Sequence, residues 1–167
     1  MASLYLVTGP WASGKTSVVA ELSHQLSECV VFDWDSIIPA LSGALGRDVR
    51  VDPSTWPGLK AIWDEILANV LAGGHDVVLF GPLVPDDFSA TNVGCDSIHC
   101  AYLNWPDKII AQRLRRRGAS SAEISDELTF LRQLRGSAFE AIESIGLTPR
   151  EVAVSVSAWV RGEVSMG

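Results

Sequence analysis

Cysteine is scarce in this chain, and the few present do not pair. The 167 residues include only three, Cys29, Cys95 and Cys100. The number is odd and no two stand at C-x-x-C spacing, which excludes a disulfide framework and points to buried free thiols in a reducing, cytoplasmic setting. Histidine is equally thin. His24, His75 and His99 do not cluster, which argues against a histidine metal site or a catalytic triad. Positive charge is short too. Thirteen Lys and Arg stand against twenty Asp and Glu, a net charge of −7, so a broad nucleic-acid-binding face is excluded. No apolar run approaches the length of a membrane span, and the N-terminus lacks the charged and apolar regions of a signal peptide. Repeats, low-complexity tracts and linkers are missing as well. The expectation is one domain over 1–167, free of membrane and nucleic acid, as a monomer or homodimer.

What the chain does carry is Gly9-Pro-Trp-Ala-Ser-Gly-Lys-Thr16, a full match to the P-loop pattern G-x-x-x-x-G-K-[ST]. An apolar run, Leu4–Val7, precedes it and a helical pattern, Ser17–Leu26, follows, the setting the motif requires. Glycines at 9 and 14 let successive N–H groups turn inward at a helix N-terminus, where the helix dipole also favours anions. Gly9, Ala12, Ser13, Gly14, Lys15, Thr16 and Ser17 are the expected nucleotide contacts. Lys15 reaches the β- and γ-phosphates and Thr16 offers its hydroxyl to Mg²⁺.

Short apolar runs alternate with helical patterns along the rest. Strands are expected at Leu4–Thr8, Val30–Phe32, Val77–Phe80, Ile98–Leu103 and, weakly, Phe139–Glu143. Helices are expected after the P-loop, at Ser36–Leu45 and at Trp56–Leu71. The last of these places Leu59, Ile62, Trp63, Ile66, Leu67 and Val70 on one face. Asn104 is a plausible cap for a helix from about Pro106 to Arg117. Ser120 with Glu123, and Thr148 with Glu151, have capping-box spacing, and Pro149 suits the first helical position. The stretch Arg47–Pro57 reads as an exposed excursion, and Gly81–Thr91 as a loop. Continuous apolar strands separated by helices imply a parallel sheet covered on both faces, with ligands at the carboxyl ends of its strands.

Strand 3 runs into Gly81-Pro82, without the acid and base of a water-activating ATPase. Asn104-Trp-Pro-Asp107 lacks the lysine of a guanine-reading Asn-Lys-x-Asp. Acids do follow strand 2. Asp33 and Asp35, two apart, point to the same side if the extended backbone persists. One can hold Mg²⁺ and the other can accept the proton of an attacking hydroxyl, which suffices for a reaction made mostly of positioning and charge neutralisation. Arg113, Arg116 and Arg117 share a helix face, and Arg132 and Arg135 are again three apart. A lid of arginines over about 113–135 would neutralise transition-state charge and exclude water.

These motifs together resemble the small P-loop kinases. The carriers are the P-loop, Asp-x-Asp after strand 2, Tyr102-Leu103, the Arg113–Arg117 segment, and Leu147-Thr-Pro-Arg-Glu-Val152 before the last helix. The group includes shikimate, gluconate and nucleoside-monophosphate kinases. Phe32-Asp-Trp-Asp-Ser-Ile-Ile38 is similar to the acid-bearing segment of chloramphenicol phosphotransferase. Trp56 to Phe88 and the Arg113 segment are similar to tunicamycin-resistance ATP-binding proteins. The resemblance implies a three-layer α/β fold with a five-stranded parallel sheet in the order 2-3-1-4-5. It also implies Asp35 as base or hydroxyl ligand and Arg113 and Arg117 as nucleotide contacts. Two features depart from it, the short arginine region and the missing acid after strand 3.

The expected activity is transfer of a phosphoryl group from ATP, with Mg²⁺, to a hydroxyl of a small metabolite or antibiotic. Lys15, Asp35, Arg113 and Arg117 act on the reaction, and Thr16 and Asp33 hold the metal. The acceptor lies between the segment after Asp35, which opens a substrate-binding excursion over about 36–72, and the loop after Phe80, with Trp34, Asp35, Arg47, Arg50 and Asp86 as candidate contacts. Two other readings stand beside it: a nucleotide-gated protein that sequesters a compound without modifying it, and a nucleoside-monophosphate kinase.

Overall fold

In the computed structural model, which describes residues 2–84 and 87–163, five parallel strands form one sheet. They are β1 (Ser3–Thr8), β2 (Cys29–Asp33), β3 (Asp76–Phe80), β4 (Ser97–Asn104) and β5 (Glu140–Glu143). Their spatial order is β2-β3-β1-β4-β5, the order the resemblance implies. β1 is central because both its faces are apolar. Leu4 and Leu6 pack to one side and Val7 to the other, all at most 2% exposed, as the two-residue side-chain period dictates.

Seven α-helices cover the two faces among the described residues: α1 (Lys15–Gln25), α2 (Ile38–Leu45), α3 (Trp56–Ala72), α4 (Ala90–Val93), α5 (Asp107–Arg116), α6 (Ser121–Arg135) and α7 (Pro149–Val160). On one face Val7, Val78, Ala101 and Leu103 meet Val18 and Leu22 of α1, Leu114 of α5, Leu131 of α6 and Val156 of α7. On the other, Leu4, Leu6, Val77 and Leu79 meet Leu59, Trp63 and Leu67 of α3. The face expected for α3 holds with one exception. Ile62 is exposed, and Leu71 is buried instead, because the helix leans its Leu59–Trp63–Leu67–Leu71 ridge, an i+4 row, onto the sheet. All three cysteines are free and half-buried. Burial pushes the Cys29 and Cys100 thiols up to about 11, which keeps them protonated and inert.

Local signals decide most helix ends. Both capping boxes form, Ser120 with Glu123 and Thr148 with Glu151. Asn104 does not cap α5. It ends β4, and Pro106 is the N-cap, since the extended conformation of a residue before proline carries Trp105 away from Asn104. The 47–57 excursion is less open than its composition suggests. Val49 and Thr55 are buried, and the Val49 carbonyl accepts from Trp56 Nε1 at 3.0 Å.

Register positions the site. Val7 stands level with Phe80 and Asp33 with Phe80. The chain leaving β1 and the acids leaving β2 therefore emerge at one edge, two strand spacings or about 10 Å apart.

Candidate functional site

Immediately after β1 the backbone turns through Gly9–Gly14 into α1. Gly14 is the helix N-cap at φ 94°, ψ 14°, with no side chain capping it, a left-handed conformation that suits glycine. Among the described residues the N–H groups of Gly14, Lys15 and Thr16 have no acceptor, the condition that makes a helix start bind anions. Ala12 also adopts a left-handed φ of 66°, which costs a non-glycine residue about 1–3 kcal/mol. The motif does not reveal this, since position 12 is one of its free positions.

Lys15 folds back over the loop. Its ammonium donates to the Gly9 carbonyl at 2.6 Å and the Pro10 carbonyl at 3.0 Å. Burial pushes it down to about 8, opposed by the carboxylates of Glu127, Asp35 and Asp33. Two backbone carbonyls thus hold a half-buried cation at the loop that carries the free amides.

Beside the nest, a cleft of about 360 Å³ is bordered by Ser17, Trp105, Arg113, Arg116, Arg117 and Pro149. Arg113 donates to the Ala12 carbonyl at 3.3 Å and lies 3.9 Å from the centre of the Trp105 ring, a cation–π distance. Trp105 donates through Nε1 to the Ser13 carbonyl at 3.0 Å. Arg117 stands 6.0 Å from the ring of Trp11. The three arginines expected on one face of α5 thus face the P-loop together. Arg132 and Arg135 do not join them. Arg132 binds Asp107 at 2.8 Å, and Arg135 binds Asp107 at 2.6 Å, the Asn104 side chain at 3.2 Å and the Trp105 carbonyl. The outer residues of the Asn-Trp-Pro-Asp lookalike are therefore an arginine clamp.

A second cleft, about 430 Å³, brings together Thr16, Asp33, Asp35, Ser36 and Arg50. The route differs from the expected extended backbone. After Asp33 the chain bends into a 3₁₀ turn, Trp34–Ile37, and the Asp33 carboxylate accepts the Asp35 N–H at 3.0 Å. This is a cap of the kind aspartate favours, and it leaves both acids facing Thr16. Asp35 is pushed above the usual carboxylate range, first by burial and then by Asp33, against the pull of Arg50 and Lys15.

The remaining acceptor candidates are placed elsewhere. Arg47 pairs with Asp52 at 3.0 Å and does not line the cleft. Trp34 stacks on Trp63, centroids 5.5 Å apart, and its carbonyl accepts from Trp63 Nε1 at 3.2 Å. Trp63 itself is a core residue, 1% exposed. Asp86 lies outside the described residues. Its neighbour Asp87 accepts the Val84 N–H at 2.7 Å and staples the loop. Gly81, found where an acid was sought, has a steric reason: a Cβ there would lie 2.8 Å from the Trp34 Cβ. Sequence reasoning missed Glu127, whose carboxylate accepts the Trp11 N–H at 2.6 Å. Nothing separates it from any other polar residue of an amphipathic helix.

No protein-family model and no curated protein matches the chain. Solved structures do. The tunicamycin resistance protein of Deinococcus radiodurans superposes with a TM-score of 0.72 at 22% identity, covering 96% of both chains. A gluconokinase from Sinorhizobium meliloti 1021 gives 0.65 at 18%, covering 96% of this chain and 93% of that one. Shikimate kinase from Aquifex aeolicus gives 0.62 at 17%, covering 99% of both. The described residues have the fold of the small P-loop kinases.

Proposed function

We propose that the protein is a phosphotransferase that moves the γ-phosphoryl group of ATP to a hydroxyl of a small molecule. The observation that carries this reading is the junction of two half-sites at one sheet edge, with Thr16 of the P-loop, Asp33 at the end of β2 and Asp35 in the turn after it in a single cleft. Two of the named neighbours, a gluconokinase and a shikimate kinase, agree with it.

In this reading the free amides of Gly14, Lys15 and Thr16 and the Lys15 ammonium bind the phosphate tail. Arg113, Arg116 and Arg117 border the nucleotide's remaining part and add positive charge beside it. The hard oxygens of Thr16 and Asp33 fit Mg²⁺, which when bound would neutralise phosphate charge. Asp35 accepts the proton of the acceptor hydroxyl as its oxygen bonds to the γ-phosphorus and the bond to the bridging oxygen breaks. The upward shift of Asp35 moves it toward the range of a working general base. Arg50 at the same cleft suits an acceptor bearing an anionic group. The free, protonated thiols suit the cytoplasm.

The test is ADP release from the wild type and Asp35→Asn across sugars, nucleosides, nucleoside monophosphates and antibiotics, with mass spectrometry of each compound. We expect one acceptor class to gain a phosphoryl group, a rate lost by about 10²–10⁴-fold in Asp35→Asn, and MgATP affinity kept within about threefold. Undiminished turnover in Asp35→Asn removes that residue from the chemistry. MgATP-dependent retention of a compound that gains no mass supports sequestration.

A further inference from the structure

The α5–α6 hairpin and Trp105, just ahead of α5, grip the P-loop at three consecutive residues, and the middle one is the residue that needs holding. Ala12 sits at φ 66°, a conformation its Cβ opposes. On the C-terminal side, Arg113 holds the Ala12 carbonyl at 3.3 Å and Trp105 holds the Ser13 carbonyl at 3.0 Å. On the N-terminal side, Glu127 accepts the Trp11 N–H at 2.6 Å. These bonds fix the peptide planes before Trp11 and after Ala12. The peptide between them, which carries the Ala12 N–H, then has its orientation set from both ends. Released, that peptide can rotate toward a conformation alanine prefers, and the Ala12 N–H turns with it.

We infer that Glu127 is a positioning residue for triphosphate binding: by holding the Trp11 N–H it fixes the orientation of the Ala12 N–H, which among the described residues has no acceptor and belongs to the same loop as the free amides of Gly14, Lys15 and Thr16. The inference rests on the reading that this site takes a nucleoside triphosphate. Its sign is unusual. A carboxylate this near a phosphate site repels the ligand, so simple electrostatics has Glu127→Ala bind tighter, whereas the positioning role has it bind weaker. Glu127 also supports the charge of Lys15, ahead of Asp35 and Asp33, an effect in the same direction as positioning.

Calorimetric titration with MgATP, and separately with magnesium tripolyphosphate, tests this on the full chain. Glu127→Ala is expected to weaken both ligands by about tenfold, equivalent to about 1.4 kcal/mol, with the unfolding midpoint recorded alongside. Glu127→Gln stays within about threefold of the wild type, because its amide oxygen accepts the same N–H. Adding Ala12→Gly to Glu127→Ala restores most of the loss, because glycine holds a φ of 66° without the clamp. Equal or tighter binding by Glu127→Ala overturns the inference. So does a Glu127→Gln variant as weak as Glu127→Ala, or a double variant with no recovery. A wild type that binds neither ligand sinks the triphosphate reading with it, whereas wild-type binding and an unaffected Glu127→Ala sink only the role of Glu127.

Discussion

Lys15 holds its charge where the surroundings resist it, and that makes its titration a handle on the site. Burial pushes its ammonium down to about 8, while an unfolded lysine titrates near about 10.4. Between those values the unfolded chain binds a proton that the folded chain does not. The contribution of Lys15 to stability therefore rises with pH through that window. Affinity for an anion moves the opposite way, since the free site loses its cation. We expect the MgATP association constant to fall by up to about tenfold per pH unit above pH 8, with a weak and flat profile in Lys15→Met. Titrations at intervals from pH 7 to 10 check it, and a flat wild-type profile removes the ammonium from phosphate binding. At this scale the sequence was readable where a motif fixes residue types: the P-loop marks Lys15 and Thr16, and Asp-x-Asp marks the acids. Ala12 and Glu127 were not readable. One depends on a dihedral angle at a position open to any residue, and the other on a contact across 116 positions of chain.

Among the elements, the α5–α6 hairpin departs most from the arginine lid expected of it. Its arginines divide between two tasks. Those of α5 face the P-loop, whereas Arg132 and Arg135 of α6 close on Asp107 at the first turn of α5. Arg135 and then Arg132 hold the Asp107 carboxyl below its usual range. The hairpin is thereby closed by a carboxylate shared between two guanidiniums. Asp107→Ala is expected to destabilise the protein by about 1 kcal/mol, the scale of a partly exposed ion-pair network, and to lower the unfolding midpoint by about 2–4 °C. High salt should shrink the difference between variant and wild type; a salt-independent loss would assign the effect to packing. The start of α6 was legible because a capping box is a signal held within four residues, Ser120 to Glu123. The destination of its arginines was not, because i, i+3 spacing marks a shared face and leaves the facing partner unnamed. The same limit explains Asn104, a good cap by type that the structure gives instead to Arg135 and Glu143.

For the whole molecule, the sheet separates two cores that serve two half-sites. The face covered by α1, α5, α6 and α7 carries the P-loop and its arginines. The face covered by α3 carries the acid-bearing segment, since Trp34 and Ile37 pack there with Trp63. The apolar strand pattern made both faces legible in advance, and the helical period of α3 marked Trp63 as core. The coupling of Trp63 to the 34–37 turn was hidden, because it runs through a backbone carbonyl 29 positions away. That coupling has a measurable consequence. Trp63→Ala removes the ring stacked on Trp34 and the bond to the Trp34 carbonyl, so it should cost about 3–5 kcal/mol. If the halves are separately supported, hydrogen exchange in the surviving fold should quicken by about tenfold or more at residues 34–45. P-loop amides should exchange as in the wild type, and MgATP affinity should change by less than about threefold. Leu114→Ala, on the opposite face, should reverse the pattern. Equal loosening of both segments by either substitution would show one cooperative core, with Asp33, Asp35 and the P-loop amides rising and falling together.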